Sequence, residues 1–110
     1  MRIVTDTTHP TFVIAVSGRI DRMAASEFER QMQEVLAQGP ENLVFDFSDL
    51  SSISSAGLRI VLEAGRSLRE RGGELWITGL DDVARETFEL SGFLCVFQCV
   101  DSVEDAFTRT

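Results

Sequence analysis

Four serines stand within five residues, at Ser51, Ser52, Ser54 and Ser55, in the stretch "DLSSISSAGLR". The run lies between an apolar segment, "NLVFDF", and an apolar helical segment that begins near Ser55 or Ala56. A serine at a helix start meets backbone N–H groups without intrahelical partners and the positive end of the helix dipole. From position alone two roles are open to Ser54 and Ser55, with Ser55 the best candidate for the cap. The hydroxyl can cap the helix, or it can carry a phosphate, which that environment accommodates. A serine that is itself a nucleophile needs an adjacent base. The chain offers one histidine, His9, in what reads as a turn before Pro10, and no lysine, since all ten basic residues are arginine. Schiff-base chemistry, a phosphate-loop lysine and a lysine general base are thereby excluded.

Other chemistry-bearing residues read more plainly. Cys95 and Cys99 lie in "LCVFQCV", a strand-like run in which a spacing of four residues is about 13 Å, too far to bridge. They are expected to be small buried hydrophobes in a reducing compartment. Asp46 and Asp49 make a weak metal or acid–base pair, because no third ligand accompanies them. An aspartate-phosphorylated receiver-like domain would want Asp46 at a strand end, but also a second acidic pair early and a lysine late, which are lacking. No metal and no cofactor is expected. The net charge of −8 argues against nucleic acid and anionic membrane as partners. No apolar run approaches the roughly 20 residues that span a bilayer. The N-terminal "MRIVTDTTHPTF" lacks a secretory apolar core, so a cytoplasmic protein is expected.

The 110 residues, 44% of them hydrophobic and 25% charged, suit one soluble domain with one core, residues 1–110. "RIVT" and "TFVIAVSG" read as a hairpin turning at His9-Pro10. In "ASEFERQMQEVLAQG", Phe28, Met32, Val35 and Leu36 form a helical stripe, with Ser26 and Glu29 at capping-box spacing. "NLVFDF" reads as a strand covered on both faces. After the serine run, which is expected to be plain loop at Ser51 and Ser52, Leu58, Val61, Leu62, Gly65 and Leu68 share a helical face. "ELWIT" reads as a strand with Trp76 packed under a helix. "DDVARETFELSG" is expected to be a helix, "LCVFQCV" a last strand, and "SVEDAF" a last helix capped by Ser102. The order predicts an α/β fold: a single layer of mostly parallel, mixed sheet with about five strands and four helices.

Three motifs, in order, then carry a family resemblance. "FDFSDLSSISSAGLRIVL" resembles the signature of the STAS domain, and in particular of the anti-sigma factor antagonists. That signature runs from an apolar strand through D/N-L-S-x-[VL]-x-[FY]-[MI]-D-S-[ST]-G-L into an apolar helix. Asp46-Phe47-Ser48 matches its beginning, Ile53 its apolar position, Ser55 its phosphorylated serine and Gly57-Leu58 its Gly-Leu. "SGRID" resembles G-x-[LI]-D, which places Asp21 on an acid beside the phosphorylation site. "FELSGF" resembles F-x-x-[ST]-G-[LF] before the last strand. The sequence departs from the pattern at Ser54, where the family commonly has Asp.

The resemblance implies a partner-switching regulator that catalyses nothing itself. Unmodified, it binds an anti-sigma factor, usually a serine kinase of the GHKL ATPase type. Phosphorylation at Ser55, less readily at Ser54, releases it, and a phosphoserine phosphatase resets it. Asp21, Met23, Asp46, Ser54, Ser55, Gly57 and Arg59 are the expected partner-binding residues, with Asp21 and Asp46 flanking Ser55 and Gly57 permitting close approach. The free chain is expected to be a monomer. The alternative within the same fold is a scaffold subunit of another signalling or lipid-transport complex.

Overall fold

The first two strands, β1 (Arg2–Asp6) and β2 (Thr11–Ile20), form the antiparallel hairpin that the alternating β-branched residues predict. Their register runs from Arg2 opposite Ser17 to Asp6 opposite Val13. The chain is described here by a computed structural model covering residues 1–8, 10–82, 85, 86, 88 and 98–108. His9, Cys95 and most of the "FELSGF" motif lie outside those residues.

Helix α1 (Ala25–Ala37) follows, then β3 (Asn42–Asp46), β4 (Leu50–Ile53), α2 (Ser55–Glu70), β5 (Leu75–Thr78), β6 (Gln98–Cys99) and α3 (Val103–Thr108). Among the described residues the sheet has six strands, where about five were expected. The added one is β4, which occupies the supposed loop at Ser51 and Ser52. Three helices have defined bounds among the described residues. The fourth expected helix falls partly outside them, and its described residues Asp82, Arg85, Glu86 and Phe88 have helical backbone.

The order across the sheet is β1-β2-β3-β5-β6, and among the described residues every ladder except the hairpin is parallel. Strand β2 is long because it serves two partners in succession. Residues 11–15 pair with β3, and residues 18–20 pair with β4 after a register shift between Gly18 and Arg19. The shift leaves Ser51 as an extra residue in β4, the mark of a β-bulge, and a bulge bends the strand that carries it. Beyond it Ile20 pairs with Ile53, just before the start of α2.

Strand alternation divides the sheet into two packed faces. On one, Phe12, Ile14, Leu43, Phe45, Leu75 and Ile77 pack with α1 and α2. The rings of Phe28, Phe45 and Phe47 line up through it, with Phe45 and Phe47 stacked at 5.2 Å and Phe28 tilted against Phe45 at 6.2 Å. On the other, Val44 and Trp76 pack with Val100 and Ala106, so Trp76 does lie under a helix, α3. Cys99 is half-buried against the first core.

Helix α1 buries Ala25, Phe28, Met32 and Val35, close to its expected stripe. Its start differs from expectation. The Ser26–Glu29 capping box does not form, because the helix begins at Ala25, with Ala24 in the cap position and no side-chain cap. Instead Asp21 Oδ1 accepts from the Ala24 N–H at 2.8 Å and Asp21 O accepts from the Ala25 N–H at 3.1 Å. In α2 the buried face is rotated from the expected one. It comprises Gly57, Ile60, Val61, Ala64, Gly65 and Leu68, and leaves Leu58 and Leu62 half-buried. At the last helix, Ser102 Oγ accepts from the Asp105 N–H at 3.1 Å, as its sequence position predicts.

Candidate functional site

The serine run is built by two strands and a helix that converge on one end of the sheet. Strand β3 ends at Asp46. The turn after it is held to the neighbouring strand, with the Phe47 N–H donating to Thr78 O at 2.8 Å. Gly79 makes this turn possible. Its φ is +87°, and a Cβ there would stand 2.4 Å from the Ser48 nitrogen. The chain then re-enters the sheet as β4, exposing Ser51 and Ser52 between half-buried Leu50 and Ile53. At the end of β4 the Ser54 N–H donates to Ile20 O at 2.8 Å. Asp21 and Ser55 thus each sit one residue past a hydrogen-bonded pair.

Helix α2 starts at Ser55, and its cap is Ser54 rather than Ser55. Ser54 has extended backbone (φ −77°, ψ 166°), and its Oγ accepts from the Gly57 N–H at 3.2 Å. Ser54 O accepts from the Leu58 N–H at 2.9 Å. Such a cap is worth about 1 kcal/mol to a helix. Two adjacent serines compete for the position. The backbone decides it, because the ladder bond from Ser54 to Ile20 holds Ser54 in the extended conformation a cap requires. Ser55 is therefore the first helical residue, with an exposed side chain. Among the described residues, the N–H groups of Ser55 and Ala56 are left without hydrogen-bond partners.

Gly57 is buried, and the space it leaves is taken by this chain. An added Cβ would lie 2.8 Å from both Ile20 Cγ2 and Ile53 Cγ1. Of the two close approaches expected at Gly57, by another segment of the chain or by a partner, the structure has the first, with β2 and β4 against the first turn of α2 through Ile20 and Ile53. Of the two acids expected to flank Ser55, Asp21 is at the same end of the fold, exposed and engaged with the start of α1. Asp46 is turned to the other face of the sheet from α2. Strand alternation sends Phe45 and Phe47 into the core under α1 and α2, and Asp46 to the opposite face. There it lines a pocket with Arg2, Val4, Ala15, Ser17 and Asp49. Its Oδ1 accepts from the Ser48 N–H at 3.0 Å and from the Ser48 hydroxyl at 2.5 Å, a turn-closing role.

Met23 is 90% exposed, an apolar side chain held in solvent just before α1. Arg59 is exposed one turn into α2. It lines a groove of about 320 Å³ between the two helices, together with Arg22, Ala25, Ser26, Ala56 and Glu63. A second cleft, of about 270 Å³, opens on the other side of the serine run between Leu50, Ile53, Leu58, Leu80 and Phe88. Sequence reading missed both. Each is walled by residues far apart in the chain, so no local spacing announces them. Among the described residues no group of three or more His, Cys, Asp or Glu could hold a metal ion. No helix among them is long and apolar enough to cross a membrane.

This architecture has known counterparts. The Bordetella bronchiseptica protein BtrV, named as a candidate anti-sigma factor antagonist, is 34% identical over 106 residues, covering 96% of this chain and 91% of that protein. The crystal structure of an anti-sigma factor antagonist from Mycobacterium paratuberculosis matches with a TM-score of 0.86 at 26% identity, over 98% of this chain and 92% of that one. The phosphorylated form of SpoIIAA from Bacillus matches in fold, with a TM-score of 0.75 at 24% identity over 98% of each chain. The model of the STAS domain matches residues 2–106. With the serine turn, its flanking strands and the capped helix all inside that span, the chain belongs to the STAS domain family.

Proposed function

We propose that this protein is an anti-sigma factor antagonist working by partner switching in the cytoplasm. It is a regulator rather than an enzyme. Unmodified, it engages an anti-sigma factor that is also a serine kinase of the GHKL ATPase type. Phosphorylation of Ser55 ends the complex, and a phosphoserine phosphatase restores it. Asp21, Met23, Ser54, Ser55 and Arg59 form the contact surface, with Gly57 supporting it from beneath and Asp46 shaping the turn behind it.

The observation that carries the proposal is the division of labour between the two serines. Ser54 Oγ is occupied by the Gly57 N–H, whereas the Ser55 side chain is exposed at the same helix start. A kinase reaches the second without unwinding the helix. It brings its own nucleotide, metal and base, so the absence of lysine from the sequence costs nothing. Once added, the phosphate brings roughly −1.5 to −2 charge to the positive end of the dipole, where the isolated fold tolerates it. Within an interface the same charge is desolvated without a partner, which costs several kcal/mol and separates the proteins. Relatives bearing the antagonist name, such as BtrV, support the same reading.

The test is capture of partners from the native cell, followed by intact-mass measurement with and without ATP. The expected result is a kinase-type partner and an ATP-dependent gain of one phosphate. The gain is retained in Ser54→Ala and lost in Ser55→Ala. Normal phosphate uptake by Ser55→Ala overturns the site. Parental affinity of Ser55→Asp for the partner overturns the switch.

A further inference from the structure

We infer that β1 is a self-association edge, and that a second copy of this chain pairs with it antiparallel about Val4. The inference stands apart from the anti-sigma factor reading and replaces the monomer expected for the free chain. Strand β1 has β2 on one side, and among the described residues no strand on the other. Edge strands are ordinarily blunted by proline, by a bulge or by charges, lysine above all, and the two charges of β1, Arg2 and Asp6, are of opposite sign. "RIVTD" contains no proline or lysine, and its ladder to β2 runs five residues without a register shift. It therefore presents a straight, open row of backbone donors and acceptors.

The side chains of that row are self-complementary. Arg2, Val4 and Asp6 share the face turned away from the α1–α2 core, and all three are exposed, Val4 at 57%. In an antiparallel pair centred on Val4, Arg2 faces Asp6 of the second copy, Val4 faces its own counterpart, and Asp6 faces Arg2. Both charge pairs are satisfied and the exposed valines cover each other, which is the cross-strand arrangement that stabilises sheets. Arg2 makes no ion pair among the described residues. Asp6 uses Oδ1 for the N–H and hydroxyl of Thr8, at 3.1 and 2.8 Å, and keeps Oδ2 for a partner. On the other face, Ile3 meets Thr5. The contact is isologous and closes on itself, so it yields a dimer and not a fibre.

Five residues bury little surface, and each copy carries a net charge of −8, so the dimer is weak, with Kd on the order of 100 µM. Sedimentation velocity of the full chain from about 10 µM to about 1 mM measures it. Arg2→Asp and Asp6→Arg each turn two attractive pairs into repulsive ones and should weaken association about tenfold. The two variants mixed in equal amounts restore every pair. The introduced aspartate of one then faces the introduced arginine of the other, and the unaltered Asp6 of the first faces the unaltered Arg2 of the second. The mixture should associate at least as well as the parent. Circular dichroism melts verify that each variant remains folded. A parent still monomeric at about 1 mM overturns the inference. So does a mixture that associates no better than its components, which points to a different surface or to a foreign strand as the occupant of this edge.

Discussion

The two helices of the main core begin at the same end of the sheet and are started by opposite means. Helix α1 has no side-chain cap, and its entry is tied by the Asp21 carboxylate, three residues before Ala24. It also carries Glu27 in its first turn. Helix α2 is capped by a neutral hydroxyl, that of Ser54, and has no acid in its first turn. The first helix therefore already has the negative charge its dipole favours, and the second does not. A phosphate on Ser55 would supply it. The contrast explains how a modification can leave the fold intact while changing what the surface presents.

The contrast is broken most forcefully at Gly57. Its Cβ position is closed by Ile20 and Ile53, so Gly57→Ala forces both isoleucines off their present packing. Overpacking of this kind costs about 1–3 kcal/mol. Thermal and denaturant unfolding should give that loss, and the variant should also lose partner binding through displacement of the serine turn. Unchanged stability would mean that the first turn of α2 is not clamped by β2 and β4.

A finer test separates the serines. Ser54→Ala should cost about 1 kcal/mol in urea unfolding, the value of a lost cap. Ser55→Ala and Ser26→Ala should each stay within about 0.5 kcal/mol, because neither side chain caps a helix in this structure. Equal losses at Ser26 and Ser54 would restore the capping box and refute the difference between the helix starts.

Much of this was legible in the sequence. The apolar run "NLVFDF", the stripe through Phe28, Met32 and Val35, and the spacing of Ser102 and Asp105 lead to β3, α1 and the cap of α3 by local physics alone. The features that were not legible depend on contacts between distant segments. Strand β4 looks like a loop because Ser51 and Ser52 lie exposed, and it becomes a strand only through its bulged ladder to β2. The cap is displaced by one residue because Ser54 and Ser55 are chemically identical, and the choice rests on a bond to Ile20. Asp46, expected to flank Ser55, ends β3 on the face opposite Phe45 and Phe47. In a strand one residue of offset reverses the face, and a sequence motif records order without facing.

The smallest effect concerns the charge that α1 holds and α2 lacks. Glu27 has its pKa lowered from its ordinary 4.5 to about 2, chiefly by the hydrogen bonds from the Arg30 guanidinium, with Gln31 donating as well. Arg30 also reaches Glu34 at 2.5 Å, so one guanidinium ties two turns of the exposed face. Because the folded-state pKa is depressed, the ionised form contributes stability that is fully present above about pH 4.5. That contribution fades as the pH falls towards 2. Exposure to solvent keeps it small, and salt screens it further. Melting temperatures from pH 6 down to pH 2 should therefore fall less steeply for Glu27→Gln than for the parent below pH 4.5, with the difference shrinking in about 1 M salt. Parallel curves would show that the Arg30 network adds nothing to α1. The two helix starts would then differ in their caps alone, and a phosphate on Ser55 would supply α2 with a charge that α1 does not exploit.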